Sequence, residues 1–553
     1  MHRGCARDLL ILTAVAVVSV VPYVSRIGFY SDDWAIFAIL LNASDESFRG
    51  YFTTLMESGT RLGMRPMVAA YHAGLTKAFG LNPLGYHLCN AVVITSLPLF
   101  LYLVLREVPV HRTVALAVAA VYVQLPNYST DRFWMAAFGY GLSTALFLIG
   151  VYAFLKAVRG RRVAAWLSLA LAALGGASLG MEVVLPVALA IPLAVWWRLK
   201  QVSQHRLREF VREPRALLLL CSLLFLAAGV ILFKFRRVDS SIAIEPFYIV
   251  RLAVGSLATN FGSYGIALPH TVLTCSHVLS WSAAVVAAVL AVVIFSWLVS
   301  AEAPPDSPRF WTMLVLAGGG VFALGLAIFV ITPKITYWST GIANRVWIAA
   351  SLGVALVLVG FSGLIVSRLS DHLRRWIFAG VITVVCVSHF LVNTALSTYW
   401  VAAWPRQLAV LNDIRKALPD IPPRTTVILH GVCPYLGPAP VFESPWDLAG
   451  ALRVAYRDPT LQADVTTGRF SIGQDAISTR IYDISRSYRY GPDLLLFDHQ
   501  QKTIVPLTDA QVARAQLARL TDCPAGIASR GTLVLPFDTW YSNLEAKGFR
   551  PWR

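Results

Sequence analysis

A chain of 553 residues that is 57% hydrophobic and only 14% charged is not composed like a soluble enzyme; it reads as a polytopic membrane protein. Its formal net charge of +17 would suit a nucleic-acid binder, but the placement of the charge argues against one. Tyr399–Arg553 holds 17 Lys/Arg against 14 Asp/Glu, and the basic excess lies in short loops between apolar stretches, where it sets membrane orientation.

The first apolar stretch, Leu9–Val24, follows Arg3 and Arg7 and is succeeded by Pro22, Tyr23 and Arg26 with no small-x-small cleavage site, so it reads as a retained helix. Eleven stretches approach the ~20 apolar residues that span a bilayer: 9–27, 84–105, 113–127, 134–155, 163–180, 183–198, 215–234, 279–299, 310–332, 346–366 and 376–398. Basic clusters at Arg159–Arg162, Arg198–Arg215 and Arg368–Arg375 fall on the side of the N-terminus, which marks that side as cytoplasmic. The loops 28–83 and 235–278 and the C-terminal region then face outside.

The stretch that organises this reading is Phe29-Tyr30-Ser31-Asp32-Asp33-Trp34. Two adjacent carboxylates follow the first span, flanked by rings suited to headgroup depth. An acid held there can meet a lipid-linked substrate and a water-soluble one together. Two structural readings compete: Ser31 or Asp32 caps a helix over Asp33–Leu41, or the pair is a solvated loop. Further along the same loop, Met67, Ala70, Tyr71, Gly74, Leu75 and Ala78 recur at helical spacing, which predicts a helix lying along the membrane surface. His72 lies off that stripe. The remaining outside turns carry Asp131 with Arg132, then Glu182, then Lys334 to Arg345. Ionisable groups near membrane depth are functional candidates by default; the alternative is that they pair with one another or cap span ends.

Past Trp400 the composition changes. Pro405, Pro419, Pro422 and Pro423 are expected to break the chain, and residues 400–553 read as a soluble α/β domain following a transmembrane domain over 1–399. Strands are predicted at Thr425–Leu429, Leu494–Phe497 and Thr532–Leu535, and helices at Trp446–Tyr456 and Ala510–Leu520, the second capped by Thr508 or Asp509. Of seven cysteines, Cys433 and Cys523 can pair in an oxidising compartment or remain thiols.

The order of these features resembles a known family. The outside Asp-Asp, then "MRPMVAAYHAGLTKAFGLNPLGYHLCNAVV", "GGASLGMEVVLPVAL" and "YWSTGIANRVW" are together similar to the GT-C superfamily of polytopic glycosyltransferases that use polyprenyl-phosphate sugars, among them the protein O-mannosyltransferase and aminoarabinose-transferase-like enzymes. A Lys that often precedes the acid matching Glu182 is replaced here by Met181. The resemblance implies a GT-C-like transmembrane fold, with Asp32 as general base and Asp33 as its neighbour or a metal or sugar contact. It also implies Arg345, Lys334 and Arg65 as donor-phosphate ligands, and Tyr337, Asp131, Glu182 and His72 as substrate-binding residues. The implied partners are a polyprenyl-phosphate-linked sugar, a glycan, lipid or protein acceptor, and membrane lipid, with no nucleic acid. No cofactor is called for by the sequence, and a divalent metal is left open. The implied location is a bacterial inner membrane, with the catalytic face and C-terminal domain in the periplasm. Two other classes suit the same outline: a transporter or flippase of a lipid-linked saccharide, which would favour repeats and charges at the midplane, and a membrane scaffold.

Overall fold

The structure, a computed structural model, describes residues 3–158, 162–203, 214–235, 246–330, 338–466, 470–481, 484–517 and 535–538. Among these, seven helices are long and apolar enough to cross a membrane: Gly4–Tyr23, Pro83–Glu107, Met135–Val158, Val163–Gly180, Trp281–Val299, Pro308–Val330 and Asp371–Ala417. The protein is a multi-pass membrane protein. Four further stretches expected to span are shorter apolar helices, Arg112–Gln124, Glu182–Trp197, Cys221–Lys234 and Ala350–Val366. Thr113 to Gln124 is buried on every face, as a helix that is apolar all round must be. It is the centre of the bundle, packed by Pro83–Glu107, Ala350–Val366 and Asp371–Ala417.

Helix contact in the bundle relies on small residues, which let backbones approach where lipid gives no hydrophobic drive. A side chain at Gly353 would lie 2.4 Å from the carbonyl oxygen of Gly318 and the amide of Phe322. The Ala350–Val366 and Pro308–Ala327 helices therefore close up at that position.

The first loop folds into helices Asp32–Leu40, Phe48–Glu57 and Pro66–Phe79. In the last, the helix predicted along the membrane surface is present, and apart from Leu75 its apolar stripe is the less buried face. Val68, Ala69, His72, Ala73, Leu75 and Thr76 are buried, while Met67, Ala70, Tyr71 and Gly74 are half-exposed and Ala78 is exposed. Lipid is as apolar as leucine, so periodicity alone does not separate the lipid face from the protein face.

The Asp371–Ala417 helix runs for 47 residues and carries Pro405 in its interior. Pro405 does not end it, and the helix passes straight through the boundary expected at residue 400. Beyond it, strands β1 (Thr426–His430), β4 (Gln462–Val465), β8 (Leu494–Asp498) and β9 (Thr503–Pro506) form a sheet in the order β4-β1-β8-β9. β1 lies parallel to β4 and β8, and β9 is antiparallel to β8. A hairpin of β2 (Tyr435–Leu436) and β3 (Ala439–Pro440) precedes the helix Pro445–Tyr456, and an antiparallel sheet of β5 (Phe470–Ile472), β6 (Ala476–Ile481) and β7 (Ile484–Arg489) follows β4. The first two predicted strands and both helices are present, and Asp509 caps the Ala510–Leu517 helix through the amides of Gln511 and Val512. Residues 532–534 lie outside the described residues, and Leu535 is not in a strand. Cys433 is disulfide-bonded; Cys523 lies outside the described residues.

Candidate active site

The acidic stretch sits where the first loop meets the long helix and the C-terminal domain. Tyr30 and Trp34 do not reach for lipid headgroups; both are buried. The Tyr30 hydroxyl donates to the carbonyl of Trp400 at 2.6 Å. The Trp34 indole donates to Gln407 Oε1 at 2.8 Å and stacks on Trp404. Their polar ends find partners on the long helix, which removes the reason to sit in the interface.

Between these anchors Ser31 adopts φ 48°, ψ −119°. A non-glycine residue there costs roughly 1–3 kcal/mol and persists only when its surroundings impose it. Its hydroxyl does not cap the Asp32–Leu40 helix; it donates to Glu443 Oε1 at 2.5 Å. The two acids that follow are then unequal. Asp33 is buried and saturated: Oδ2 accepts from the Tyr30 amide at 2.8 Å and Oδ1 from the Ala136 amide at 2.7 Å. Burial raises its pKa, against the pull of those amides. Its place is to tie the loop to the start of the Met135–Val158 span. Asp32 is half-buried and, among the described residues, accepts one hydrogen bond, from the Trp446 indole at 2.7 Å. Burial pushes its carboxyl above the ordinary value, while Arg345, the Trp446 bond and Arg61 oppose the rise.

The C-terminal domain reaches this point because Gly450 allows it. A Cβ there would lie 2.5 Å from the carbonyl oxygen of Trp34, so the Pro445–Tyr456 helix lies directly on the backbone of Asp32–Leu40. The turn ahead of that helix is built by Asp447, which accepts from the amides of Glu443 (2.7 Å), Ser444 (3.2 Å) and Leu448 (2.6 Å). This aims Glu443 and Trp446 at the Ser31-Asp32 pair. Glu443 is buried and also accepts from the Tyr435 hydroxyl; burial raises its pKa.

Arg345 faces the same group. Its guanidinium lies 5.0 Å from the Trp134 ring centroid and lowers the pKa of Asp32, Asp131 and Glu443 through its charge. One of its nitrogens donates to the carbonyl of Ile342. Trp134 in turn donates to the carbonyl of Tyr30 at 2.8 Å. The turn bearing Arg345 is pinned by Asn344, which bonds Ser129 Oγ (2.8 Å) and the Thr130 amide (3.1 Å). Asp538 holds it from the other end, accepting from the amide and hydroxyl of Ser339.

The remaining candidates divide. Lys334 and Tyr337 lie outside the described residues. Arg65 does not join the Asp32 group; it forks onto Glu182 at 3.3 and 2.9 Å. Lys234 adds a third contact to Glu182 at 2.8 Å. Arg65 and Glu182 thus pair with one another, and Lys234, absent from the sequence reading, completes their network from a distant helix. Asp131 is buried near Arg345, and among the described residues neither carboxylate oxygen has a hydrogen-bond partner. His72 is buried, with no partner among the described residues on either ring nitrogen; burial lowers its pKa to about 4, which keeps it neutral. Glu443 and Trp134 are not marked out as candidates in the sequence, where Trp446, with Tyr482, Tyr488, Tyr490, Trp540, Tyr541 and Trp552, reads as a ring suited to stacking on a sugar or to the core of the C-terminal domain. The signal for Glu443 was the turn Glu443-Ser444-Pro445-Trp446-Asp447, an acid ahead of a strong helix start. Of these other rings, Tyr488 is core and Tyr490 is half-buried against it, its hydroxyl donating to the carbonyl of Gly473 at 3.0 Å; Tyr482, Trp540, Tyr541 and Trp552 lie outside the described residues.

Asp33 and Glu443 have both oxygens engaged by protein donors, and among the described residues no three His, Cys, Asp or Glu side chains converge as a metal site requires.

No family model matches the sequence, and no curated protein does. The fold is similar in part to that of ArnT from Cupriavidus metallidurans bound to undecaprenyl phosphate, with 16% identity over 83% of this chain and 86% of that one, at a TM-score of 0.35. It is also similar in part to the Archaeoglobus fulgidus oligosaccharyltransferase tethered with an acceptor peptide, with 14% identity over 86% of this chain and 65% of that one, at a TM-score of 0.39. Superposition at this level is too partial to carry a residue's role from one chain to the other.

Proposed function

We propose that the protein is a membrane glycosyltransferase that moves a sugar from a polyprenyl-phosphate donor to an acceptor hydroxyl, with Asp32 as general base. The observation that carries this reading is the inequality of the acid pair. Asp33 is consumed by two amides, whereas Asp32 keeps one oxygen uncommitted among the described residues, beside a cation and next to the spanning bundle. In the proposed reaction Asp32 takes the proton of the acceptor hydroxyl as the hydroxyl oxygen attacks the anomeric carbon. The bond to the phosphate oxygen breaks on the opposite side, and configuration inverts. Arg345 neutralises the departing phosphate; its planar fork suits two phosphate oxygens, and the Trp134 face holds it in position. The phosphate needs no proton to leave, so a second acid is not required. The loop charges support an outer, periplasmic face for this chemistry in a bacterial inner membrane.

The test is the neutral-sugar content of the cell envelope in cells lacking the protein, restored with wild type or Asp32→Asn. Restoration by wild type alone is expected. Equal restoration by Asp32→Asn removes the base assignment, and no change on deletion removes the reading altogether.

A further inference from the structure

We propose that the C-terminal domain is the positioning device for Asp32: Trp446 fixes one carboxylate oxygen while Glu443 clamps the strained Ser31 that aims it. The proposal rests on reading Asp32 as the base. A strained residue followed by a half-buried acid does not hold its geometry unaided, and among the described residues both hydrogen bonds between side chains that hold this pair cross the domain interface. Ser31 Oγ to Glu443 and Trp446 Nε1 to Asp32 span 412 and 414 residues of sequence. Both partners come from one turn, built by Asp447 and seated by the backbone contact at Gly450. Glu443 is itself locked by Tyr435 on its second oxygen, so the clamp is rigid from the domain's side.

Positioning of this kind makes three demands. The indole N–H must favour the ionised base. The clamp must keep the free oxygen turned toward the acceptor. Loss of either must reduce turnover without weakening donor binding, because Arg345 sits on a separate element. The charged groups facing Asp32 are Arg345, Arg61, Asp33 and Glu443.

Full-length protein in detergent micelles is labelled with a hydrophobic carbodiimide, which takes the protonated acid, across a pH series. The peptide containing Asp32 is followed by mass spectrometry. Trp446→Phe removes a donor to the ionised form, so the labelling midpoint should rise by about half to one pH unit. Trp446→Gln returns an N–H donor and should bring it part of the way back. A merely loosened interface would hydrate Asp32 and lower the midpoint, so an unchanged or lower midpoint in Trp446→Phe overturns the proposal. Glu443→Gln is the second arm, should Trp446→Phe fail to fold. A lower midpoint with the wild-type trypsin pattern supports the loss of a neighbouring charge. An unchanged midpoint, or one that falls only as new trypsin cuts appear, overturns the clamp. The labelling needs no turnover, so it is independent of the reaction assignment, which Asp32→Asn tests.

Discussion

Glu182 and Asp32 are both acids set against arginine in the loops of the same bundle, and they differ in what their partners leave over. Glu182 has Arg65 on both oxygens and Lys234 on one of them, so two cations saturate one anion within an intramolecular strut. Around Asp32 the balance is reversed. Asp32, Glu443 and Asp131 gather near Arg345, with Asp33 beside Asp32, and Asp32 receives one neutral donor. The Asp32 site also includes a strained residue, where the Glu182 site has none. A saturated acid holds elements together; an acid left partly open inside an enforced geometry has capacity for a reaction.

The sharpest way to break the comparison is to remove each acid in turn. Asp32→Asn should lower turnover by about 10²–10⁴-fold, the usual share of a general base, with little change in thermal unfolding. Glu182→Gln should do the converse. It leaves Arg65 and Lys234 facing each other without an anion and should cost about 2–3 kcal/mol of stability in detergent. That is toward the low end for a broken buried pair, because Glu182 is 25% exposed. Comparable losses of stability in both variants would erase the distinction.

The Asp32 site should also respond to pH in two opposed ways. Asp32, Asp33, Glu443 and Asp447 all have pKa values raised by burial in the folded state. The folded protein therefore binds protons that the unfolded chain has released. Stability is fully present below the ordinary carboxyl values and is lost as pH rises through the raised ones. Activity runs the other way, since the base works ionised. Thermal midpoint and turnover measured from pH 4 upward should cross. A parallel rise of both would show that these acids are paired like Glu182. Asp538, raised to about 7 by burial, contributes to the same fall in stability, and Asp538→Asn should flatten the slope toward neutral pH.

Smaller effects refine the picture. Arg345→Lys keeps the charge and loses the fork; the donor requirement in membranes should rise about tenfold. Ser31→Gly and Ser31→Ala both lose the hydroxyl and differ in backbone cost alone. The glycine variant should be the more stable by about 1 kcal/mol, and equal unfolding midpoints would mean that Ser31 is not strained.

Much of the architecture was legible in the sequence, because a bilayer demands long apolar helices and β-strands announce themselves by composition. The acid pair was legible too, as charge standing at a span end. The long helix was not: Pro405 argues for a break, yet the helix around it is held by Tyr30 at Trp400 and Trp34 at Gln407, contacts some 370 residues away in the chain. The same distance hid Glu443 and Trp446, whose part is set by docking rather than by neighbours in sequence. Arg65 and Lys234 were hidden in a related way. An outside cation looks the same in sequence whether it awaits a phosphate or already grips a glutamate.

The helix Asp371–Ala417 has one more consequence. At 1.5 Å per residue its 47 residues measure about 70 Å, more than twice the ~30 Å of a hydrocarbon core. It is a mast as well as a span, and it fixes both the height and the compass bearing of the domain at its tip. One residue inserted beyond Gln407 would turn that tip by about 100° and raise it about 1.5 Å, swinging the Pro445–Tyr456 helix off its seat. Seven residues would restore the bearing to within about 20° and lift the tip by about 10 Å. That lift would keep the heading but carry the Pro445–Tyr456 helix off its backbone contact with Asp32–Leu40, so the docking sets the mast's length as well as its bearing.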